Sequence, residues 1–125
     1  MRTILVIDDD VIILQTLCMV LNAQGYHAIG AENPRQAQQQ FDSNMVDLII
    51  VDHGLPGITG SDLAKQFRET KPVLALMLSG SAELVGTPEG MDLLLPKPCS
   101  IPNLLTAIDA LFQCEARFAE IGQQP

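Results

Sequence analysis

The sequence predicts an α/β domain: one parallel sheet, doubly wound, with helices on both faces. Three observations point there. The apolar runs Ile4–Ile7, Leu48–Val51 and Leu74–Leu78 are continuous instead of alternating, as in strands covered on both sides. Helical patterns lie between the runs. The connections are short, and the βαβ order they impose requires right-handed crossovers. A length of 125 residues suits one compact domain, and a 47% apolar content is enough for a core.

The elements follow in order. The first strand, Ile4–Ile7, is ended by Asp8, Asp9 and Asp10. A helix over Val11–Gln24 stops at Gly25, a residue suited to a helix C-terminus. The weaker run from Tyr26 to Ala31 is the second strand. Asn33 caps the next helix, with Pro34 at its first position and an end near Phe41. Leu48–Val51 is the third strand, and Ser61 to about Glu69 the third helix. After the fourth strand, Leu74–Leu78, come Gly80, Gly86, Pro88 and Gly90, all poor helix-interior residues. They predict a fourth helix reduced to a turn around Ala82–Val85, with no helix over about two turns in residues 80–90. Leu93–Leu95 is the fifth strand. Ser100 caps a last helix that places Ile101, Leu104, Leu105, Ile108, Leu111 and Phe112 on one face.

Charge narrows the function. The chain has 15 acidic against 7 basic residues, a net charge of −8. Binding nucleic acid needs a basic stripe that displaces counterions, so no nucleic-acid partner is expected. A metal cation or a basic partner surface suits the balance. The cysteines Cys18, Cys99 and Cys114 include no pair at metal-ligand spacing, which points to a reducing, cytoplasmic setting. The first apolar run is too short for a signal peptide or a membrane span, so no membrane partner is expected either.

In an open α/β sheet the ligand crevice lies beyond the carboxyl ends of the strands. There the sequence places Asp8–Asp10, Asp52, Ser79–Gly80 and Lys97–Pro98. Clustered carboxylates repel one another unless a cation neutralises them. Hard oxygen ligands in a small crevice favour Mg²⁺. A lysine offers a point charge to a phosphoryl oxygen, and a hydroxyl offers a donor. An aspartate among these groups can act as a nucleophile and form an acyl phosphate. Each piece also has a plainer reading. Three aspartates suit a helix cap, Asp52 suits a turn before Gly54 and Pro56, and Ser-Gly is a common turn pair. The weight lies in four strand ends meeting at one edge. His53 follows Asp52 directly and reads as structural, and His27 has no ligand-spaced partner.

These residues resemble those of a bacterial response-regulator receiver domain, over about residues 3 to 115. Ile4–Asp10 is similar to that family's first strand and acidic pair. Asp52-His53-Gly54-Leu55-Pro56-Gly57-Ile58-Thr59-Gly60 resembles its phospho-acceptor loop, with Pro56 and Gly60 at the usual offsets. Ser79-Gly80 and Leu95-Pro96-Lys97-Pro98 complete the set. The resemblance implies a flavodoxin-like (βα)5 three-layer sandwich with five parallel strands and a shortened fourth helix. It implies a signalling phospho-acceptor, not an enzyme, that assists its own phosphorylation and dephosphorylation. Asp52 takes the phosphoryl group from a histidine kinase or histidine phosphotransfer protein, with Mg²⁺ as cofactor. Asp9 ligates the metal directly, Asp8 helps through water, and the Gly54 carbonyl is a further ligand beside Asp52. Ser79 and Lys97 contact the phosphoryl group. Asp10 lies outside the pair and serves as a helix cap.

Three departures from the family qualify this. Leu94 stands where receivers often carry the Tyr or Phe of an aromatic switch. The stretch from Ser79 to Gly90 is about one helical turn short. Gly54 and Ser81 are small, which predicts an open site and a short-lived phosphoryl group. The first two motivate an alternative, a degenerate receiver that binds a partner without being phosphorylated. A flavin- or nucleotide-binding domain is disfavoured, because three aspartates would repel a cofactor phosphate. An aspartyl hydrolase would carry its nucleophile right after the first strand. The Lys97–Pro98 peptide is expected to be cis, so that a tight turn aims Lys97 into the crevice.

The C-terminal helix is expected to outrun the domain. Leu104, Leu111 and Phe118 are seven apart, and Ala107, Cys114 and Ile121 repeat the step, a heptad-like stripe. This predicts a receiver domain over residues 1–115 and a C-terminal helix extension or linker over 116–125. The helix should reach about Ile121 and meet either a second copy, giving a homodimer, or an adjoining domain.

Overall fold

The computed structural model describes residues 1–55, 57–80, 91–97 and 99–123, with residues 115–123 as helix backbone. Among the described residues, five strands, β1 (Thr3–Ile7), β2 (His27–Ala31), β3 (Leu48–Asp52), β4 (Leu74–Ser79) and β5 (Leu93–Pro96), and four helices, α1 (Val11–Ala23), α2 (Pro34–Ser43), α3 (Gly60–Thr70) and α4 (Ile101–Gln123), follow in the order β1-α1-β2-α2-β3-α3-β4-β5-α4. All strand pairs are parallel, in the order β2-β1-β3-β4-β5. This is the doubly wound, flavodoxin-like sheet expected from the sequence. Residues 81–90, where the reduced fourth helix is expected, lie outside the described residues, as does Pro98, whose peptide bond with Lys97 is expected to be cis.

The continuous apolar runs are divided by the pleat. Leu5, Ile7, Ile49, Val51, Ala75 and Met77 face one way and pack on Ala37 and Phe41 of α2 and Leu63, Ala64 and Phe67 of α3. Ile4, Val6, Leu48, Ile50, Leu76 and Leu78 face the other way, onto Leu14, Leu17 and Leu21 of α1 and Leu104, Ile108 and Phe112 of α4. Phe41 and Phe67 stack at 4.3 Å between centroids. Tyr26 and Phe112 pair at 5.8 Å across the other layer, with the Arg2 guanidinium 4.5 Å above the Phe112 ring. Burial of this apolar surface on both faces is the main favourable term in folding.

Caps set the helix starts. The Asp10 side chain accepts from the N–H groups of Ile12 and Ile13, the role expected for the third aspartate. Asn33 caps α2, with Pro34 next to it. Thr59 caps α3 by accepting from the Asp62 N–H at 3.2 Å, so this helix begins at Gly60, one residue before its expected start. Thr59→Ala is expected to lower stability by about 1 kcal/mol in urea denaturation. An unchanged midpoint would show that the cap is dispensable.

At the far edge, Arg68 of α3 pairs with Asp92 and donates from Nε to the Val73 carbonyl at 3.0 Å. Asp92 also accepts from the Ala75 N–H at 2.8 Å. These bonds tie the entry of β5 to β4 and α3. The last helix is continuous to Gln123, two residues past the expected end at Ile121. Among the described residues, no helix is long and apolar enough to cross a membrane.

Candidate functional site

The strand register delivers the polar residues to one edge. Asp52 is the last residue of β3 and lies opposite Leu78, while Ser79, the last of β4, lies opposite Pro96. Backbone bonds carry the pairing past the strands. The Asp8 N–H donates to the Ala31 carbonyl at 3.1 Å, the His53 N–H to Leu78 at 3.0 Å, and the Lys97 N–H to Ser79 at 2.8 Å. The main chains bearing Asp8, His53 and Lys97 are thus held to neighbouring strands.

Three carboxylates meet there. Asp8, Asp9 and Asp52 each bring an oxygen into a group whose members lie within 4.8 Å of one another. Asp8 is buried, Asp52 half-buried and Asp9 exposed. Lys97 reaches over two of them, with Nζ 3.1 Å from Asp52 Oδ1 and 3.6 Å from Asp8 Oδ2. Ser79 is buried beside this edge, only 4% exposed. Gly54 lies two residues beyond Asp52 on the exposed loop. Among the described residues, a β-carbon built on Gly54 would meet nothing within 4 Å. Ser81 lies outside the described residues.

Electrostatics follow from this packing. Burial pushes the Asp8 carboxyl above its ordinary value of 3.8; the Asp10 N–H, which it accepts at 2.9 Å, and Lys97 pull it down, while Asp52 and Asp9 push it further up. For Lys97, burial pulls downward, but the hydrogen bond to Asp52 and the attraction of both aspartates outweigh it, so the ammonium is held above its ordinary 10.5. The cluster is thus a concentration of negative charge only partly answered by one lysine. An all-oxygen donor set of this kind fits a hard divalent cation such as Mg²⁺.

A group whose folded pKa is raised above 3.8 by burial favours the folded state most when protonated, so its penalty grows as pH rises from 3.8 to that raised value and stays constant above it. Asp8→Asn keeps an oxygen for the Asp10 N–H and removes the charge. It is expected to stabilise the Mg²⁺-free protein at pH 7 by on the order of 1 kcal/mol. The gain should shrink as pH falls from the raised value towards 3.8, because folded Asp8 is by then already protonated and neutral. Urea midpoints measured at two pH values decide this, and a gain that does not depend on pH would contradict the assigned cause.

The sequence-predicted residues Asp8, Asp9, Asp52 and Lys97 do come together. His53 takes no part in the carboxylate group; its Nδ1 is buried and has no hydrogen-bond partner among the described residues. Leu94 is half-buried and packs on the core shared with α2 and α3. The sequence reading missed an apolar groove of about 520 Å³ beside Lys97, where Ile12, Ile13 and Leu17 of α1 face Cys99, Ile101 and Leu104. A signal for it was present: α1 carries no charged residue, and Ile12 is 77% exposed.

Comparison with known proteins bears on this arrangement. The response regulator receiver domain family matches residues 4–109. The phosphate regulon transcriptional regulatory protein PhoB of Pseudomonas aeruginosa is 29% identical over 90% of this chain and 52% of its own length. The response regulator MprA of Mycolicibacterium vanbaalenii is 32% identical over 88% of this chain and 50% of its own. The chain therefore spans about half the length of these curated relatives. A response regulator receiver domain protein from Clostridium thermocellum superposes with a TM-score of 0.85 at 26% identity, covering 94% of this chain and 99% of that one. The response regulator TrrA of Thermotoga maritima, solved in complex with Mg²⁺-BeF, has a TM-score of 0.80 at 29% identity, over 89% of this chain and 99% of its own.

Proposed function

We propose a phosphoryl-accepting role for Asp52, because this chain belongs to the response regulator receiver domain family of two-component signalling. The observation that carries the reading is the Lys97 ammonium bridging Asp52 and buried Asp8 over a cluster of three carboxylates. The donor is a histidine kinase or histidine phosphotransfer protein. A carboxylate oxygen of Asp52 forms the new bond to phosphorus as the bond from phosphorus to the donor's leaving atom breaks. Lys97 moves its charge from Asp52 to a phosphoryl oxygen, and the Ser79 hydroxyl donates to another. Asp8, Asp9, Asp52 and the Gly54 carbonyl would hold Mg²⁺. When bound, the metal supplies charge neutralisation for the transferring group.

A protein donor needs a surface that brings its histidine to Asp52, and the apolar groove beside Lys97 offers one. The receiver domain takes in residues 1–115. Residues 116–125 are its C-terminal helix extension or linker, open to a second copy or an adjoining domain, in a cytoplasmic setting. A module that binds without phosphorylation would have no use for a lysine balanced between two carboxylates, so no observation favours that alternative. Incubation with acetyl phosphate followed by intact mass measurement tests the reading. One phosphoryl adduct is expected with Mg²⁺ present and none with a chelator. A chain that stays unlabelled with acetyl phosphate, phosphoramidate and a phosphorylated histidine protein alike would not be an acceptor.

A further inference from the structure

We propose that Gly60 is a positioning residue for the acceptor: its missing side chain lets the first residue of α3 rest on the main chain of Asp52 and so sets where that carboxylate stands. The proposal rests on the phosphoryl-accepting role of Asp52. A β-carbon at Gly60 would lie 2.9 Å from the Asp52 carbonyl oxygen, 3.1 Å from Val51 Cγ2 and 3.2 Å from Met77 Cε. The first of these contacts is closer than packed atoms tolerate, and it is made to backbone. Asp52 is held in the ladder opposite Leu78, so its carbonyl cannot yield without moving the residue that carries the carboxylate.

The other glycines of the loop differ. At Gly54 and Gly57 an added β-carbon would meet nothing within 4 Å among the described residues, and Gly57 has its own reason to be glycine, a φ of 83°. Among the described residues the positive-φ glycines are Gly25 and Gly57, so backbone conformation does not require glycine at 60. Contact with the acceptor does. Thr59 fixes the start of α3 at this point, which leaves the helix no easy way to retreat.

The test compares Gly60→Ala with Gly60→Ala/Met77→Leu. The double variant withdraws the Met77 tip but leaves the carbonyl contact. Three quantities are read: thermal midpoint, Mg²⁺ affinity from the amide shifts of Asp52 and His53, and the initial rate of labelling at saturating acetyl phosphate. Gly60→Ala is expected to lose about tenfold or more in both Mg²⁺ affinity and labelling rate, the scale of a sub-ångström misplacement of reacting groups. In the double variant the thermal midpoint should recover in part while the other two stay low. Parental Mg²⁺ affinity and labelling in Gly60→Ala would overturn the proposal. So would recovery of all three quantities together, or failure of both variants to fold, each of which assigns Gly60 to packing alone. If the parent binds Mg²⁺ but never labels, the acceptor role fails, and the Mg²⁺ comparison still decides whether Gly60 places Asp52.

Discussion

Asp52→Asn is expected to abolish phosphoryl labelling while leaving the fold intact. Asparagine has nearly the same shape, so the ladder partner Leu78 and the helix above it have little to accommodate. What disappears is the second carboxylate oxygen and its charge, without which no acyl phosphate forms. The variant should also lose Mg²⁺ affinity, since Asp52 is one of the three carboxylates grouped there among the described residues. Intact mass after incubation with acetyl phosphate and Mg²⁺ gives the answer directly. Labelling equal to the parent would place the acceptor on another residue and remove the basis of the proposed function.

The second large effect is expected at Lys97. Lys97→Met keeps most of the aliphatic stem and removes the charge 3.1 Å from Asp52 and 3.6 Å from Asp8. Loss of one charge aimed at a transferring group typically costs about 10²–10³ in rate, and a reduction of that order is expected in labelling. Stability should also move, in a direction set by pH. A lysine held above 10.5 in the folded state contributes stability that is fully present below that value and is lost as pH rises through the raised one. The parent should therefore be more stable than Lys97→Met at pH 7, and the difference should narrow above pH 10.5. Added Mg²⁺ should shrink it as well, by answering the same carboxylates. A difference that persists unchanged at high pH would mean that Lys97 acts through its stem and not its charge.

Much of this was legible in the sequence, for reasons that vary from residue to residue. The strands could be read because a run such as Leu48–Val51, apolar at every position, has few other uses in a short soluble segment. The starts of α1 and α2 could be read because Asp10 and Asn33 are side chains that satisfy helix N–H groups. The third helix starts one residue earlier than expected because Thr59, not Gly60, makes the cap bond. The strands β3 and β4 extend to Asp52 and Ser79 because parallel pairing continues past the apolar run, which hydrophobicity does not report. The acidic edge was visible as residue types at strand ends. That Lys97 touches Asp8 as well as Asp52, or that Gly60 lies on the Asp52 carbonyl, depends on crossovers that bring β1, β3 and β5 to one edge. No local pattern encodes those distances.

The pleat that splits the apolar runs between two faces also separates two tolerances to change. Phe41 and Phe67 share one core and Phe112 the other, with the sheet between them. A side chain altered in one layer has no direct neighbour in the opposite layer, so paired substitutions across the sheet should combine additively. The two coverings of this chain can therefore drift apart in evolution, each repacked without the consent of the other. The exception is the edge where Asp8 and Asp52 follow Ile7 and Val51 of one core, while Ser79 follows Leu78 of the other. There the two histories have to agree.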